Sequence, residues 1–590
     1  MVSPELSEGA RHLLAARYLR RDEHGQIVES IDGMFWRVAN AIAAADRAFP
    51  DYPDTHATAE RFHEALSSRR FLPNSPTLIN AGTELGQLMA CFVLPVPDSL
   101  HGIFTALHDA ALIQQSGGGT GFSFSRLRPA GDLVQSTRRP ASGPVSFIRL
   151  FDAMSQVIAG ESVRGGANMG VLRVDHPDIQ RFISTKRDPG ALPHFNLSVG
   201  VTDAFLNASR CGEIFTFMNP HSGLAGGDVD ASALLDAIAE AAWTTGEPGL
   251  LFLDRIERDN PTPALGHLET TNPCGEVPLL PYESCCLGSI NVAAFVRETS
   301  GQLVLDETGL TATARLAVHF LDNVVEATRY PVPEIESISR ANRKIGVGIM
   351  GLADLLIELG IPYGSRESIR LAHHVMAIVQ RATVDATRSL AAIRGPFPNF
   401  GISRFAGHGE PPRRNATVTT IAPTGGISLI AGCSSGIEPL YALAYERPST
   451  ELCLGTVGPH PILIETLERL GLADGGLIRD IELSGRIAHR DDLPESVRCL
   501  FRTASEIPSR EHLAVQAAIQ RHVENAVSKT INLPETATAC DVRAAFLLAR
   551  RLGCKGVTIY REGSRPRQAL NVLGHCLACV GEDVIPLSRG

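Results

Sequence analysis

The sequence predicts an α/β protein whose mostly parallel sheet closes into a barrel. From Phe71 onward, short apolar runs broken by Pro, Gly and Asn read as strands, over residues 92–96, 195–201, 214–218 and 417–422. Between them lie helical periodicities over residues 231–244, 312–327, 366–393 and 511–529. Alternation of the two patterns over about 470 residues is the mark of a parallel sheet. The length, 590 residues, suits one large barrel with helical additions.

The elements follow in order. Residues 1–70 form an N-terminal helical region, with apolar residues at helical spacing over 33–43. Residues 71–565 form the barrel domain, whose last strand is expected at 556–560. Beyond it both periodicities fade, and residues 566–590 read as a flexible tail carrying Cys576 and Cys579.

Composition excludes several classes. Hydrophobic residues make up 44% and charged residues 20%, so disordered, collagen-like and coiled-coil chains are out. A net charge of −10 argues against a nucleic-acid surface. The N-terminus has no apolar run before its charges, so no leader peptide is expected. The longest uncharged stretch, residues 415–437, contains Pro423 and four glycines and makes a poor membrane helix. A soluble, cytoplasmic chain is expected. Its 12 cysteines are too few for a disulfide scaffold. The lone Cys576-Leu-Ala-Cys579 reads as a dithiol or half a zinc site; with no second such pair, no metal site is complete.

The sharpest chemical signal is Asn272-Pro-Cys-Gly-Glu276. Alternate side chains of an extended turn share a face, so Asn272, Cys274 and Glu276 could converge on one substrate; a surface turn with a spectator thiol is the plain alternative. Five further segments accompany it: Phe71–Gly82 followed by Cys91; Gly117-Gly-Gly-Thr-Gly121 leading to Gly131; Ser162–Gly170; Glu283-Ser-Cys-Cys-Leu-Gly-Ser-Ile-Asn291; and Ile421-Ala-Pro-Thr-Gly-Gly-Ile-Ser428.

Together these six ordered segments resemble the large catalytic subunit of ribonucleotide reductases, most closely the adenosylcobalamin-dependent class II enzymes. The resemblance runs from about Arg17 to Arg565. It implies a ten-stranded α/β barrel of two five-stranded parallel halves packed antiparallel, with a central finger loop carrying the radical cysteine, Cys274. A thiyl radical can abstract the 3′-hydrogen of a ribose. Glu276 is then the general base on the 3′-hydroxyl and Asn272 orients the substrate. Cys91 and Cys285 supply the reducing equivalents and end as a disulfide. The implied substrate-binding set is Ser75, Ala90, Cys91, Gly119, Asn272, Pro273, Cys274, Gly275, Glu276, Pro423, Thr424, Gly425, Gly426 and Ile427. Backbone amides freed by the glycines would receive phosphate oxygens. Asp98 and Arg128 match positions that contact a deoxynucleoside triphosphate specificity effector. Cys576 and Cys579 match a tail dithiol re-reduced by a thioredoxin-like protein, a zinc-tail remnant being the alternative.

Three departures from the family pattern stand out. Cys286 replaces the usual Asn after the second redox cysteine, which leaves Cys286 as a rival to Cys285. Gly426 replaces a Thr of the phosphate loop. Tyr560 stands alone where class I chains carry paired tyrosines, and no glycyl-radical loop ends the chain. Adenosylcobalamin is the radical source these features leave. The resemblance further implies a ribonucleoside diphosphate substrate and a homodimer; charge and hydropathy, as above, lead to no nucleic-acid or membrane partner being expected. The rival readings are a class I large subunit needing a separate radical-generating metallo-subunit, and a non-catalytic nucleotide-binding paralogue.

Overall fold

The computed structural model describes residues 6–49, 54–159, 166–188, 190–446 and 456–564. Three helices open the chain, Glu8–Arg17, Ile31–Ala43 and Thr55–Ser67. The second begins at Ser30, whose side chain accepts a hydrogen bond from the Gly33 amide and satisfies one orphan donor of the first turn. Its buried residues, Met34, Phe35, Val38, Ala39, Ile42 and Ala43, recur at helical spacing. Burying this stripe joins the region to one continuous core with the barrel.

Ten strands form the main sheet: β1 Phe71–Pro73, β2 Cys91–Leu94, β3 Gly119–Ser123, β4 Asn168–Arg173, β5 Phe195–Val201, β6 Gly249–Phe252, β7 Ser284–Asn291, β8 Ile345–Met350, β9 Thr530–Leu533 and β10 Gly556–Arg561. Strands β2 to β6 lie side by side and parallel. Strands β7 and β8 are parallel, as are β9 and β10. Residues 417–422 bridge the last two pairs through parallel bridges, Val347 to Thr419 and Ile421 to Val527. The halves meet antiparallel, β2 on β7 and β6 on β10. The barrel therefore has two five-stranded parallel halves, as expected, and β1 pairs antiparallel with β7 beside β2.

Two expectations need correction. Residues 214–218 do form a strand, but it pairs with Ala225–Asp230 in a separate hairpin and stays out of the barrel. The helix expected over 511–529 is Ser509–Gln520 and ends nine residues early. The Asn525, Ala526 and Ser528 amides instead donate to Thr419 O, Glu276 O and Ile421 O. Closing the barrel and holding the finger requires extended backbone there, and tertiary pairing outweighs helical propensity.

Strand alternation sorts the side chains between two cores. Phe92 and Leu94 of β2 and Cys286 and Ile290 of β7 face the outer helices. Cys91, Val93, Cys285 and Leu287 face the interior, against Val277 and Leu279.

Candidate active site

A two-stranded stem, Thr270–Thr271 against Pro278–Leu279, enters the barrel and carries the loop 272–276 at its tip. It fits because β3 is short of side chains: a Cβ on Gly121 would stand 1.8 Å from Thr271 O. Gly275 turns the tip with φ +83°, a conformation that glycine adopts without strain. The tip is tied to both halves of the barrel. Asn196 Nδ2 of β5 donates to Pro273 O at 2.9 Å, and Thr420 Oγ1 and Ala526 N each donate to Glu276 O at 2.8 Å.

Asn272 organises the centre. Its Oδ1 accepts from Val277 N at 3.0 Å and its Nδ2 donates to Cys91 Sγ at 3.1 Å. Asn272 and Glu276 are both 2% exposed. Cys274 between them is exposed, because it stands where two cavities meet. The loop is buried as the sequence suggests, but its thiol faces open space.

Cys91 and Cys285 sit directly opposite one another in the antiparallel β2–β7 pairing. Such partners share a face with Cα atoms about 4.5–5.5 Å apart, within the range a disulfide spans. The two are not joined by a disulfide. Cys286 points the other way and donates from Sγ to Leu321 O, in helix Glu307–Ala327, at 3.4 Å. The pairing available to Cys91 is therefore with Cys285. Burial pushes the Cys285 thiol well up; the Cys286, Glu283 and Glu276 charges push the same way, and the Lys344 ammonium opposes them.

The first cavity, about 290 Å³, brings together Ser75, Ala90, Cys91, Gly119, Asn272, Pro273, Cys274, Glu276, Pro423, Thr424, Gly425, Gly426 and Ile427. Every predicted substrate-binding residue except Gly275 lines it. Asn74, Gly117, Gly118, Ala167, Leu287, Gly288, Ser289 and Ala422 also line it and were missed; the three glycines among them offer backbone alone, which leaves no side-chain signal. The loop 423–427 is pinned from outside, since Thr424 Oγ1 accepts from Gly436 N at 2.8 Å. A Cβ on Gly426 would lie 2.9 Å from the Tyr18 hydroxyl, itself 2.8 Å from Ser75 Oγ. The N-terminal region thus places a hydroxyl beside the position where the loop lacks one, a contact that spacing alone could not reveal.

The second cavity, about 680 Å³, opens on the far side of Cys274. Pro273, Gly275, Asn196, Tyr441, Tyr560 and the Lys529–Glu438 ion pair border it. Burial pushes the Tyr441 hydroxyl up to about 12. Two phenol rings, an amide and a paired ammonium fit a nucleoside-sized group with a flat base and polar edges, in a volume usual for ligand pockets.

Asp98 and Arg128 form a 2.9 Å ion pair, and His221 Nδ1 lies 3.0 Å from the same carboxylate. Neither lines the two cavities beside Cys274. Residues 162–165 of the Ser162–Gly170 segment, and Cys576 and Cys579, lie outside the described residues.

Comparison with known proteins agrees with this geometry. The family profile described as "Ribonucleotide reductase, barrel domain" matches residues 89–412 and 408–560, and "Ribonucleotide reductase, all-alpha domain" matches residues 4–86. A vitamin B12-dependent ribonucleoside-diphosphate reductase of Mycobacterium tuberculosis is 50% identical over 575 residues, covering 96% of this chain and 81% of its own. Its counterpart in Thermoplasma acidophilum is 42% identical, covering 96% and 80%. The solved alpha subunit of the Actinobacillus ureae class Id ribonucleotide reductase has the same fold, with a TM-score of 0.76 at 23% identity, covering 95% of this chain and 97% of that one. With the all-alpha and barrel domains both matched and the finger loop set beside a pair of facing cysteines and between two cavities, the chain belongs to the ribonucleotide reductase family.

Proposed function

We propose that this chain reduces ribonucleoside diphosphates to 2′-deoxyribonucleoside diphosphates, with adenosylcobalamin as radical source and a dithiol as reductant. The underlying activity, vitamin B12-dependent ribonucleotide reduction by an oxidoreductase that supplies deoxynucleotides, follows from family membership and from 50% identity over nearly the whole chain. The observation that carries the finer reading is the position of Cys274, between a small cavity containing Cys91 and a larger one on the opposite side.

The substrate ribose lies in the small cavity, its phosphates on the amides of loop 423–427. Asn196, Tyr441 and Tyr560 would hold the adenosyl group in the larger cavity, where the cofactor would supply the radical that takes the hydrogen atom of the Cys274 thiol. Cys274 Sγ abstracts the 3′-hydrogen, and Glu276 takes the 3′-hydroxyl proton. Asn272, fixed at both ends of its amide, holds substrate and Cys91 in register. The 2′-hydroxyl leaves as water with one proton from the Cys91–Cys285 pair, the other thiol hydrogen goes to C2′, the pair's two electrons reduce the sugar as the S–S bond forms, and Glu276 returns its proton to the 3′-oxygen. The 3′-hydrogen then returns from Cys274, which regenerates the thiyl radical. Cys576 and Cys579 re-reduce the disulfide, drawing on a thioredoxin-like protein. Asp98 and Arg128 serve the deoxynucleoside triphosphate effector of a homodimer in the cytoplasm. Among the described residues, no helix is long and apolar enough to cross a membrane.

The test is anaerobic turnover of the purified chain with cytidine di- and triphosphate, dithiothreitol, and adenosylcobalamin present or omitted. Reduction of the diphosphate only with the cofactor is expected. Activity that requires an added metallo-subunit would overturn the assignment.

A further inference from the structure

Cys91 borders the small cavity, whereas Cys285 is fully buried behind it and borders neither cavity. An incoming thiolate therefore reaches the Cys91 sulfur first, and Cys285 is the leaving group of that exchange. A thiolate formed in an apolar setting is a poor leaving group, because leaving becomes slower as the thiol pKa rises. The inner core around Cys285 is apolar on most sides, with Val93, Val277, Leu279 and Leu287 as neighbours.

One cation is buried beside it. In the parallel β7–β8 pairing Cys286 is opposite Ile345, so Lys344 is level with Cys285 on the adjoining strand. Lys344 is 2% exposed and pairs with Glu283 at 2.5 Å. Glu283 stands two residues before Cys285 and is also held by Asn342 Nδ2 at 2.5 Å and by Leu280 N at 2.6 Å. A carboxylate with three donors is pinned, and it pins the ammonium in turn. Burying such a pair carries a desolvation cost that an apolar pair of similar size would not. Cys91 faces Cys285 across the strand pair; Glu276, Glu283 and Cys286, the last with its side chain on the opposite face, also act on it electrostatically, and Lys344 is the cation among these partners.

We infer that Lys344, fixed by Glu283, is a positioning residue for re-reduction of the Cys91–Cys285 disulfide, its ammonium offsetting the negative charge that Cys285 carries as it leaves. The inference rests on the proposed pairing of these two cysteines. In the step, the thiolate of an external dithiol bonds to Cys91 Sγ, the S–S bond breaks, and Cys285 departs with the electron pair. The second thiol of the dithiol then resolves the mixed disulfide. Two electrons pass from the dithiol to the protein, and the two protons released by the dithiol end on Cys91 and Cys285.

The test oxidises the full-length chain by one round of substrate turnover, then follows thiol recovery at Cys91 and Cys285 by rapid alkylation and mass spectrometry as dithiothreitol is added. Lys344→Met should slow recovery about tenfold, and Lys344→Arg should restore most of the rate. Lys344→Met/Glu283→Gln removes both charges and keeps the test valid if the single variant misfolds; because Glu283 opposes Lys344 at Cys285, it should show a smaller slowing, still below the wild-type rate, with substrate affinity unchanged. Recovery at the wild-type rate in the double variant, or failure of Lys344→Arg to rescue a folded Lys344→Met, would overturn the inference. Absence of any Cys91–Cys285 disulfide in the oxidised wild type would instead refute the pairing on which it rests.

Discussion

At the scale of single residues, three cysteines have three environments. Cys274 faces open cavity and is separated from solvent-side chemistry only by the loops around it. Cys274→Ala should abolish turnover and leave nucleotide binding intact, as read by equilibrium dialysis; residual turnover above background would refute its role as radical carrier. Cys285 and Cys286 are neighbours in sequence with opposite orientations, one beside Cys91 and one beside Leu321 O. Cys285→Ser should stop multiple turnover. Cys286→Ser should leave the rate within about twofold and lower stability by ~1–3 kcal/mol, the cost of a buried hydroxyl in an apolar setting, measured by denaturant titration. The pair Cys285-Cys286 was legible as a problem in the sequence. Its solution needed the register against β2.

At the scale of elements, the finger and β3 are made for each other. Residues 270–279 reach the interior because β3 carries Gly119 and Gly121 where other strands carry side chains. Gly121→Ala should push the stem away from β3, costing ~1–3 kcal/mol as an overpacked core does and lowering kcat sharply with the rest of the barrel retained. Circular dichroism and steady-state kinetics check the two parts. The Gly117–Gly121 run was recognisable as a loop that frees backbone amides. Its second use, as the floor beneath a loop some 150 residues later in the chain, lay beyond any local pattern.

At the scale of the whole molecule, the N-terminal helices and the barrel share a buried ionic centre. Arg394 reaches Asp46 of the N-terminal region at 2.5 Å and Asp322 of helix Glu307–Ala327 at 2.9 Å, and Arg343 and Arg414 reach Asp322 as well. Burial alone would push the Asp322 carboxyl up, but the three guanidinium groups hold it well below the usual carboxylate range. A carboxyl depressed in the folded state stabilises the protein above its unfolded pKa, about 4, and loses that contribution as pH falls below it. Asp322→Asn should destabilise the fold by ~3–5 kcal/mol at neutral pH, because it strands buried cations, and should flatten the loss of stability below about pH 4. Chemical denaturation across that range measures both.

The sequence by itself determined the candidate chemistry and the alternation of strands and helices: Asn272, Cys274 and Glu276 at spacing two, the cysteines at 91 and 285, and the glycine-rich loop at 423–427 are local facts of composition and order. Tertiary structure decided what faces what. The strand expected over 417–422 found its place between two strand pairs through two bridges, the segment after Gln520 left its helix, and Cys285 rather than Cys286 turned inward. The physical reason is that side-chain alternation states only that neighbours point oppositely; the cross-strand partner and the helix packed behind decide which face is the interior.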